Sequence, residues 1–558
     1  LKKSDRGACF VVYALYLMTI SMKILYALLF LLLAENANSQ SPQKVWEVFY
    51  DGLLTGKDIA NAMVVDPEGN IYVTGRCYET ASGGNFTTIK YDADGGTQWY
   101  DHFSGTSANG TNRGIKLVMD KWNNVYAIGT VSSHQGDIAI VKYNAAGLVW
   151  SKSYEPYWFG SATDFGVDIA ADTLGNIYAA GQITSLSGNL YDLYVMKCDS
   201  NGEKIYEDDY SSASGDDYTG GIAVTPSGNV FALTSSFNFF GTATYDITTI
   251  NYLENGAHNW LSHYDGDGSG TDYGTGIKVD AVGNQYVCGT SDEGLNNDMV
   301  AMKQNIYGTN LWSATYNGSA NGNDTAITTV LLPNGFVAVT GRCRELVNGN
   351  TITGCVTLLI DSGNVLWTNK YYGSDNAGAA PGQMITDEEG NLFICGSENL
   401  SAGTKNGYII KYDLSGNLLW TVSFDSGNNL DDKFTSIARN NNEVIVTGQS
   451  FTSPANANYV TVKYEDLATG NTTVVSPTNQ WQVYPNPVHA GEKIKLVSII
   501  NPASGIAYSV YSLHGSLVES GYITDSILLI GRNYSPGIYL LQINNATNAN
   551  QQKLLVTE

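Results

Sequence analysis

Positive charge is scarce in this chain. Over 558 residues, 29 Lys and Arg stand against 53 Asp and Glu, a formal net charge of −24. A surface this acidic lacks the cations needed to displace phosphate counterions, which excludes nucleic acid as a partner. Proline is sparse, at 12, and there are only six histidines. The closest histidine pair, His258 and His263, has an odd spacing that places the two on opposite faces of a strand, so they do not share one zinc. No nucleophile-elbow motif and no phosphate-binding loop occurs. The seven cysteines form no disulfide framework. Cys77 and Cys343 fall at one position of an internal repeat and Cys288 and Cys395 at another, and equivalent positions in separate repeats are too distant to bridge. Only Cys343 and Cys355, flanking "RELVNGNTITG" in one hairpin, are expected to meet as a disulfide.

What is present is a repeat. "GNIYVTG" at 69–75 returns as "NNVYAIG", "GNIYAAG", "GNVFALT", "GNQYVCG", "GFVAVTG", "GNLFICG" and "NEVIVTG", the last at 442–448. The eight copies have a period of about 53 residues. Each contains four short apolar segments, β-branched or aromatic, bounded by Gly, Asn or Asp, which reads as four antiparallel strands, or one propeller blade. The fourth segment carries an aromatic residue: Trp99, Trp150, Tyr206, Trp260, Trp312, Trp367 and Trp420. The eighth is missing after the last copy and stands instead at Trp46, in "VWEVFYDG", before the first. The expected fold is therefore an all-β, eight-bladed propeller over 45–466, closed by the N-terminal strand, with the aromatics packing between blades.

The phrase "DPEGNIYVTG…IKYDADGGTQW" resembles the SBBP beta-propeller repeat of secreted bacterial proteins. That resemblance implies the fold and leaves the role open. Its family name implies seven blades, whereas eight copies occur here. After a polar linker at 467–480, residues 481–558 read as a small β-sandwich. There Val483-Tyr484-Pro485-Asn486-Pro487, Ser535-Pro536-Gly537-Ile538-Tyr539 and Lys553-Leu554-Leu555-Val556 resemble the type A sorting domain of the type IX secretion system of Bacteroidetes. The resemblance implies the type IX machinery as partner and passage across the outer membrane. At the other end, residues 1–39 read as a signal region, with Met22 as the true start, an apolar run over Ile24–Ala34 and cleavage near Gln40. The alternative is an uncleaved anchor spanning residues 8–34.

Two sets of Asp and Asn recur around the ring. One opens the first strand of a blade: Asp58, Asn112, Asp164, Asp217, Asp272, Asp324 and Asp432. The other opens the third: Asn85, Asp137, Asp192, Asp246, Asp298, Asn406 and Asn458. Because strands alternate direction, both sets lie on the face that carries the long loops, with Arg76 and Arg342. This face is the expected ligand surface, although Asp and Asn at strand starts also serve to fix turns. Calcium is the cofactor to consider, at the face through Asp164, Asp217, Asp272 and Asp324, or in "DGDGSGTD" through Asp265, Asp267, Ser269 and Asp272, since only oxygen ligands are on offer. The expected function is binding or adhesion at the cell surface, to polysaccharide or protein, by a monomer. The alternatives are a polysaccharide lyase or glycosidase using carboxylates at the channel mouth, and a structural surface-layer component.

Overall fold

The structure, a computed structural model, describes residues 41–466 apart from 81–82, 106–111, 133–136, 156–163, 185–189, 213–214, 238–243, 269 and 295, together with strands within 482–557. The segment around Met22 and the cleavage position near Gln40 lie outside the described residues. The first strand runs Gln43–Tyr50. Blade 1 then holds Ile59–Val65, Ile71–Thr80, Gly83–Tyr91 and Thr97–Phe103, from the axis outward. Six further four-stranded sheets repeat this order, opening at Arg113, Phe165, Asp217, Tyr273, Thr325 and Ala379. Blade 8 takes Asp432–Asn440, Glu443–Ser453 and Asn456–Glu465 from the end of the array. Its outermost strand is Gln43–Tyr50, antiparallel to Asn456–Glu465 with Trp46 opposite Lys463 and Tyr50 opposite Tyr459. The eight-bladed ring is closed as its sequence implies.

Each motif residue has a local cause. In "DPEGNIY", Asp66 Oδ1 accepts the Asn70 backbone N–H and Oδ2 its side-chain amide, both at 2.8 Å, which fixes the turn between the first two strands. Asp120, Asp172, Asp280 and Asp387 do the same for Asn124, Asn176, Asn284 and Asn391. The glycine that ends the motif answers a β-bulge in the first strand, present in every blade. The bulge pushes a carbonyl toward the second strand. A Cβ on Gly75, Gly129, Gly289, Gly341, Gly396 or Gly448 would overlap the backbone oxygen of Ile59, Arg113, Tyr273, Thr325, Ala380 or Lys433. Blade 4 has Thr234 at this position, and there the bulge itself carries Gly220 and Gly221.

The cores lie between blades. Tyr126, Ile128, Ile138 and Ile140 of blade 2 pack on Ile169, Ile177, Tyr194 and Met196 of blade 3. At the closure, Trp46, Val48 and Tyr50 pack on a cluster containing Met63, Ile71, Ile89, Tyr91, Ile445 and Tyr459. Hydrogen bonds add direction. Trp46 Nε1 and Lys463 Nζ both donate to the Ala93 carbonyl in the outer turn of blade 1, at 3.1 and 2.9 Å. Lys90 and Trp99 share the Ala145 carbonyl of blade 2, and Lys142 and Trp150 share that of Ser200 in blade 3.

The disulfide expected between Cys343 and Cys355 is not formed. Both are free thiols. The segment between them is no loop but the end of a long hairpin, Val337–Val347 with Asn350–Asp361, turned at Asn348-Gly349 with positive φ at both. In its ladder Cys343 faces Gly354, and Cys355 faces Arg342. The two thiols therefore stand on neighbouring rungs and point to opposite faces of the sheet. One joins the core between blades 5 and 6, the other that between blades 6 and 7.

In the C-terminal unit, Gln482–Tyr484, Lys493–Val497 and Ile527–Leu529 form one sheet. A second holds Val488–His489, Asn548–Thr557, Gly537–Asn545, Ile506–Ser512 and Leu517–Ile523. Tyr484 and Gly537 lie in these strands, whereas Pro485, Asn486, Pro487 and Pro536 fall outside the described residues.

Deleting residues 40–52 should lower Tm and promote aggregation, because Asn456–Glu465 becomes an open edge. An unchanged calorimetric melting curve rules out closure as a stabilising contact. Trp46→Ala should cost about 2 kcal/mol from lost burial alone. Gly289→Ala should cost about 1–3 kcal/mol by forcing the bulge carbonyl aside. Both are read by urea unfolding.

Candidate functional site

The starts of the first and third strands meet on one face of the disc, as expected from strand direction. The first-strand carboxylates turn away from solvent. Asp58, Asp217, Asp272, Asp324 and Asp432 are fully buried and Asp164 nearly so. Each accepts backbone N–H groups. Asp58 takes those of Gly52 and Tyr78 at 2.7 and 2.8 Å, and Asp272 those of Gly266 and Asp292 at 2.9 and 2.8 Å. Asp324 takes Gly318 and Arg344, Asp164 takes Thr184, Asp217 takes Ser212, and Asp432 takes Ser426. Asp58, Asp272 and Asp324 thus hold the loop arriving from the preceding blade to the end of the second strand, while Asp217 and Asp432 hold the arriving loop and Asp164 the second strand.

The two rings also meet pairwise across blade interfaces. Asp164 of blade 3 feels Asp137 of blade 2, Asp217 feels Asp192, and Asp324 acts on Asp298. Burial, then the like-charged neighbour, disfavours ionisation. Asp217 is pushed up to about 7, and Asp164, Asp272 and Asp298 to about 6, each by burial first. Burial likewise raises Asp58, Asp192, Asp324 and Asp432. At the fourth interface Asp246 and Asp272 come together with exposed Asp265, one oxygen of each within 4.8 Å of the others. Of the expected calcium loop, Asp267 is not part of this group, and Ser269 lies outside the described residues. Asp246, from the third-strand ring, takes part instead.

The side chains facing the channel mouth are those one residue further along the first strand. Its two arcs differ. Blades 3 to 5 place Phe165, Tyr218 and Tyr273 there. Tyr245 stacks on Tyr273 with centroids 5.9 Å apart, Tyr218 lies 5.4 Å from Tyr245, and Phe237 meets Tyr245 edge-on at 5.4 Å. All four rings are half-buried. Blades 8 and 2 place Lys433 and Arg113 at the same position, beside Arg342 and Arg76 on the second strands. Arg76 Nη2 donates to the Lys57 carbonyl at 3.4 Å, and Arg113 lies over the Phe165 ring at 5.9 Å. Arg76 and Arg342 were legible as residues of this face. The aromatic arc, Arg113 and Lys433 were missed, and their only signal was position, directly after the recurring Asp or Asn.

Comparisons with known proteins agree with this architecture. Residues 482–557 match the family model of the secretion system C-terminal sorting domain, and residues 150–186 that of the beta-propeller repeat, SBBP. The matched repeat begins within the outer strand of blade 2 and ends two residues after the second strand of blade 3. The family unit is thus offset from the blade, the same offset that leaves Trp46 ahead of the first blade. The chain is an eight-bladed propeller protein carrying a type IX sorting domain, which supports export to the cell surface or beyond it. No curated protein matches. Among solved structures, a protein of unknown function from Bacteroides caccae is 14% identical, with 56% of this chain and 97% of that one covered at a TM-score of 0.32. The propeller domain of the Trilobed protease from Pyrococcus furiosus is 8% identical, with coverages of 70% and 92% and a TM-score of 0.33. An ulvan lyase of a new polysaccharide lyase family is 11% identical, with coverages of 56% and 80% and a TM-score of 0.36. At TM-scores of 0.32 to 0.36, these likenesses carry no argument about this chain.

The buried carboxyls set a pH dependence. Their folded-state values lie above the unfolded value of about 3.9, so the folded protein binds more protons between pH 4 and 7. Their contribution to stability is fully present below that window and is lost as pH rises through it, whereas that of Asp172, Asp199, Asp280, Glu345 and Asp375, whose values are lowered, is lost only at the acid side of it. His102, lowered by burial, opposes the trend as a single group. Tm should therefore be higher at pH 5 than at pH 8. Asp217→Asn should flatten the slope and gain about 2 kcal/mol at pH 8. A slope unchanged in Asp217→Asn refutes this account.

Proposed function

We propose that the chain is an exported binding protein that presents its long-loop face to a saccharide or protein ligand outside the cell. The observation that carries this reading is the aromatic arc at the channel mouth. Tyr218, Tyr245, Tyr273 and Phe237 pack against one another yet stay half open. Rings held in this way offer a preformed stacking platform on a rigid scaffold, and little side-chain entropy is lost on binding. The buried carboxylates behind it fix the loops that frame the platform.

A divalent cation belongs to the same reading. Asp246, Asp265 and Asp272 supply only oxygen, which suits calcium. Binding to the folded state alone stabilises it by about 2.7 kcal/mol at a hundredfold excess over Kd. Millimolar calcium should raise Tm relative to a chelator, and Asp265→Asn, at the exposed member, should abolish the rise. Identical curves with calcium and chelator remove the cation from the reading.

The ligand is tested with a glycan array on the purified full-length chain, run beside a turnover assay on every captured sugar. The expected outcome is capture with the sugar recovered intact, reduced at least tenfold by Tyr273→Ala at unchanged Tm. Release of shortened products would replace binding by catalysis. Capture of no glycan and of no protein from the surrounding matrix would overturn the reading.

A further inference from the structure

Among the described residues, the cations of the mouth make only weak local contacts: Arg76 donates to the Lys57 carbonyl at 3.4 Å and lies over the Tyr78 ring, and Arg113 lies over the Phe165 ring. Arg76, Arg113, Arg342, Lys405 and Lys433 appear in no ion pair, although the chain carries 53 acidic residues. They are placed near one another instead. Lys433 of blade 8 is acted on by Lys405 of blade 7 and Arg342 of blade 6, and burial together with these two charges lowers it. Blade 7, which lies between blades 6 and 8, offers only Ala380 at the equivalent first-strand position. Arg113 is lowered by burial and by Arg76 of the neighbouring blade. The nearby carboxylates make hydrogen bonds to other groups, although one oxygen each of Asp217 and Asp432 has no partner among the described residues. The ring Asp residues accept backbone N–H groups, Asp431 accepts that of Lys405, and Asp216 takes the Tyr191 N–H and the Tyr218 hydroxyl. Deeper in the channel, Lys278 of blade 5 is walled by protein yet open to water, and it faces Lys116 of blade 2 as well as Asp168 of blade 3.

Like charges gathered without counterions repel, and an arriving anion relieves that repulsion. Opposite them stands an arc of tyrosines. Resting on the binding reading above, we propose that the channel mouth takes an anionic saccharide, its ring stacked on Tyr218 and Tyr273 and its carboxylate or sulfate held by Arg113, Arg342 and Lys433. The positive region is confined to the mouth, and the rest of the protein is strongly acidic. The site therefore favours a charged sugar at a chain end or in a short segment. A long polyanion would lie across the repelling rim.

The probes are tetragalacturonate, its methyl ester and a sulfated tetrasaccharide, titrated calorimetrically into the full-length chain. The acid should bind at least tenfold more tightly than the ester, and weaken as salt rises from 50 to 500 mM. The sulfated probe distinguishes a sulfate from a carboxylate preference. Arg113→Gln with Lys433→Gln should remove the advantage of the acid while leaving the ester unaffected. Tyr273→Ala should weaken acid and ester alike. Both variants are first checked for wild-type Tm, and Arg342→Gln replaces Lys433→Gln if the double variant melts early. Equal binding of acid and ester, or an unaltered advantage in a folded variant, overturns the inference and leaves saccharide binding standing. No binding of either anionic probe at millimolar concentration also overturns it, and then capture on the array decides the binding reading separately.

Discussion

The ring depends on the contact at its closure, repeated at the next two interfaces: an outer-strand indole and a third-strand lysine donating to the same carbonyl in the next blade's outer turn. A propeller blade is a small sheet with two apolar faces, stable only when both are covered. Packing supplies most of the energy but little direction, because apolar faces slide. At these three interfaces the paired donors fix the angle and register of one blade against the next, and between blades 7 and 8 Trp420 and Lys411 do so through the Asp466 carboxylate. At Ala93 the donors are Trp46 and Lys463, which lie more than four hundred residues apart in the chain. That carbonyl is the point where the two ends of the array are held together.

From this frame follows the division between the two faces. Near the outer turns, the Asp of "DPEGN" is used up by Asn and Tyr in its own turn. On the long-loop face, the Asp that opens a blade reaches back to the loop from the preceding blade or forward to the end of the second strand, and in blades 1, 5 and 6 to both. The first arrangement makes a closed turn. The second ties separate segments together and leaves the next residue pointing over the axis. A variable side chain is thereby mounted on a bracket that is Asp or Asn in every blade but the seventh, where Ala379 stands: Ile59, Arg113, Phe165, Tyr218, Tyr273, Thr325, Ala380 and Lys433 in turn. Function on such a face can change without disturbing the bracket.

This division explains what could be read from the sequence. Blade number, strand order and closure were legible, because the period and the displaced Trp46 are local patterns that the geometry of a closed ring must satisfy. The glycine at the end of each motif was visible, yet its cause was not, since the bulge carbonyl it accommodates belongs to another strand. Cys343 and Cys355 looked like partners because the Asn348-Gly349 hairpin brings their backbones close. Facing direction, which alternates at every residue, decided against them. The cluster of Asp246 with Asp265 and Asp272 was half legible for a similar reason: two members are neighbours in sequence, and the third arrives from the next strand ladder.

Charge gives the last step. A net charge of −24 suggests a protein that repels anions everywhere. At physiological salt, however, charges more than about 8 Å apart across solvent are largely screened. The acidic outer surface therefore does not cancel cations at the axis, where protein walls confine the field. What does lie within range is the buried carboxyl ring, whose members are raised by burial: Asp217 to about 7, Asp164, Asp272 and Asp298 to about 6, and Asp58, Asp324 and Asp432 in the same direction. Each proton the ring retains removes a negative charge from behind the mouth. The same burial that makes the Asp residues effective brackets also reduces their opposition to Arg113, Arg342 and Lys433. Loop fixation and a positive mouth are thus compatible consequences of one placement.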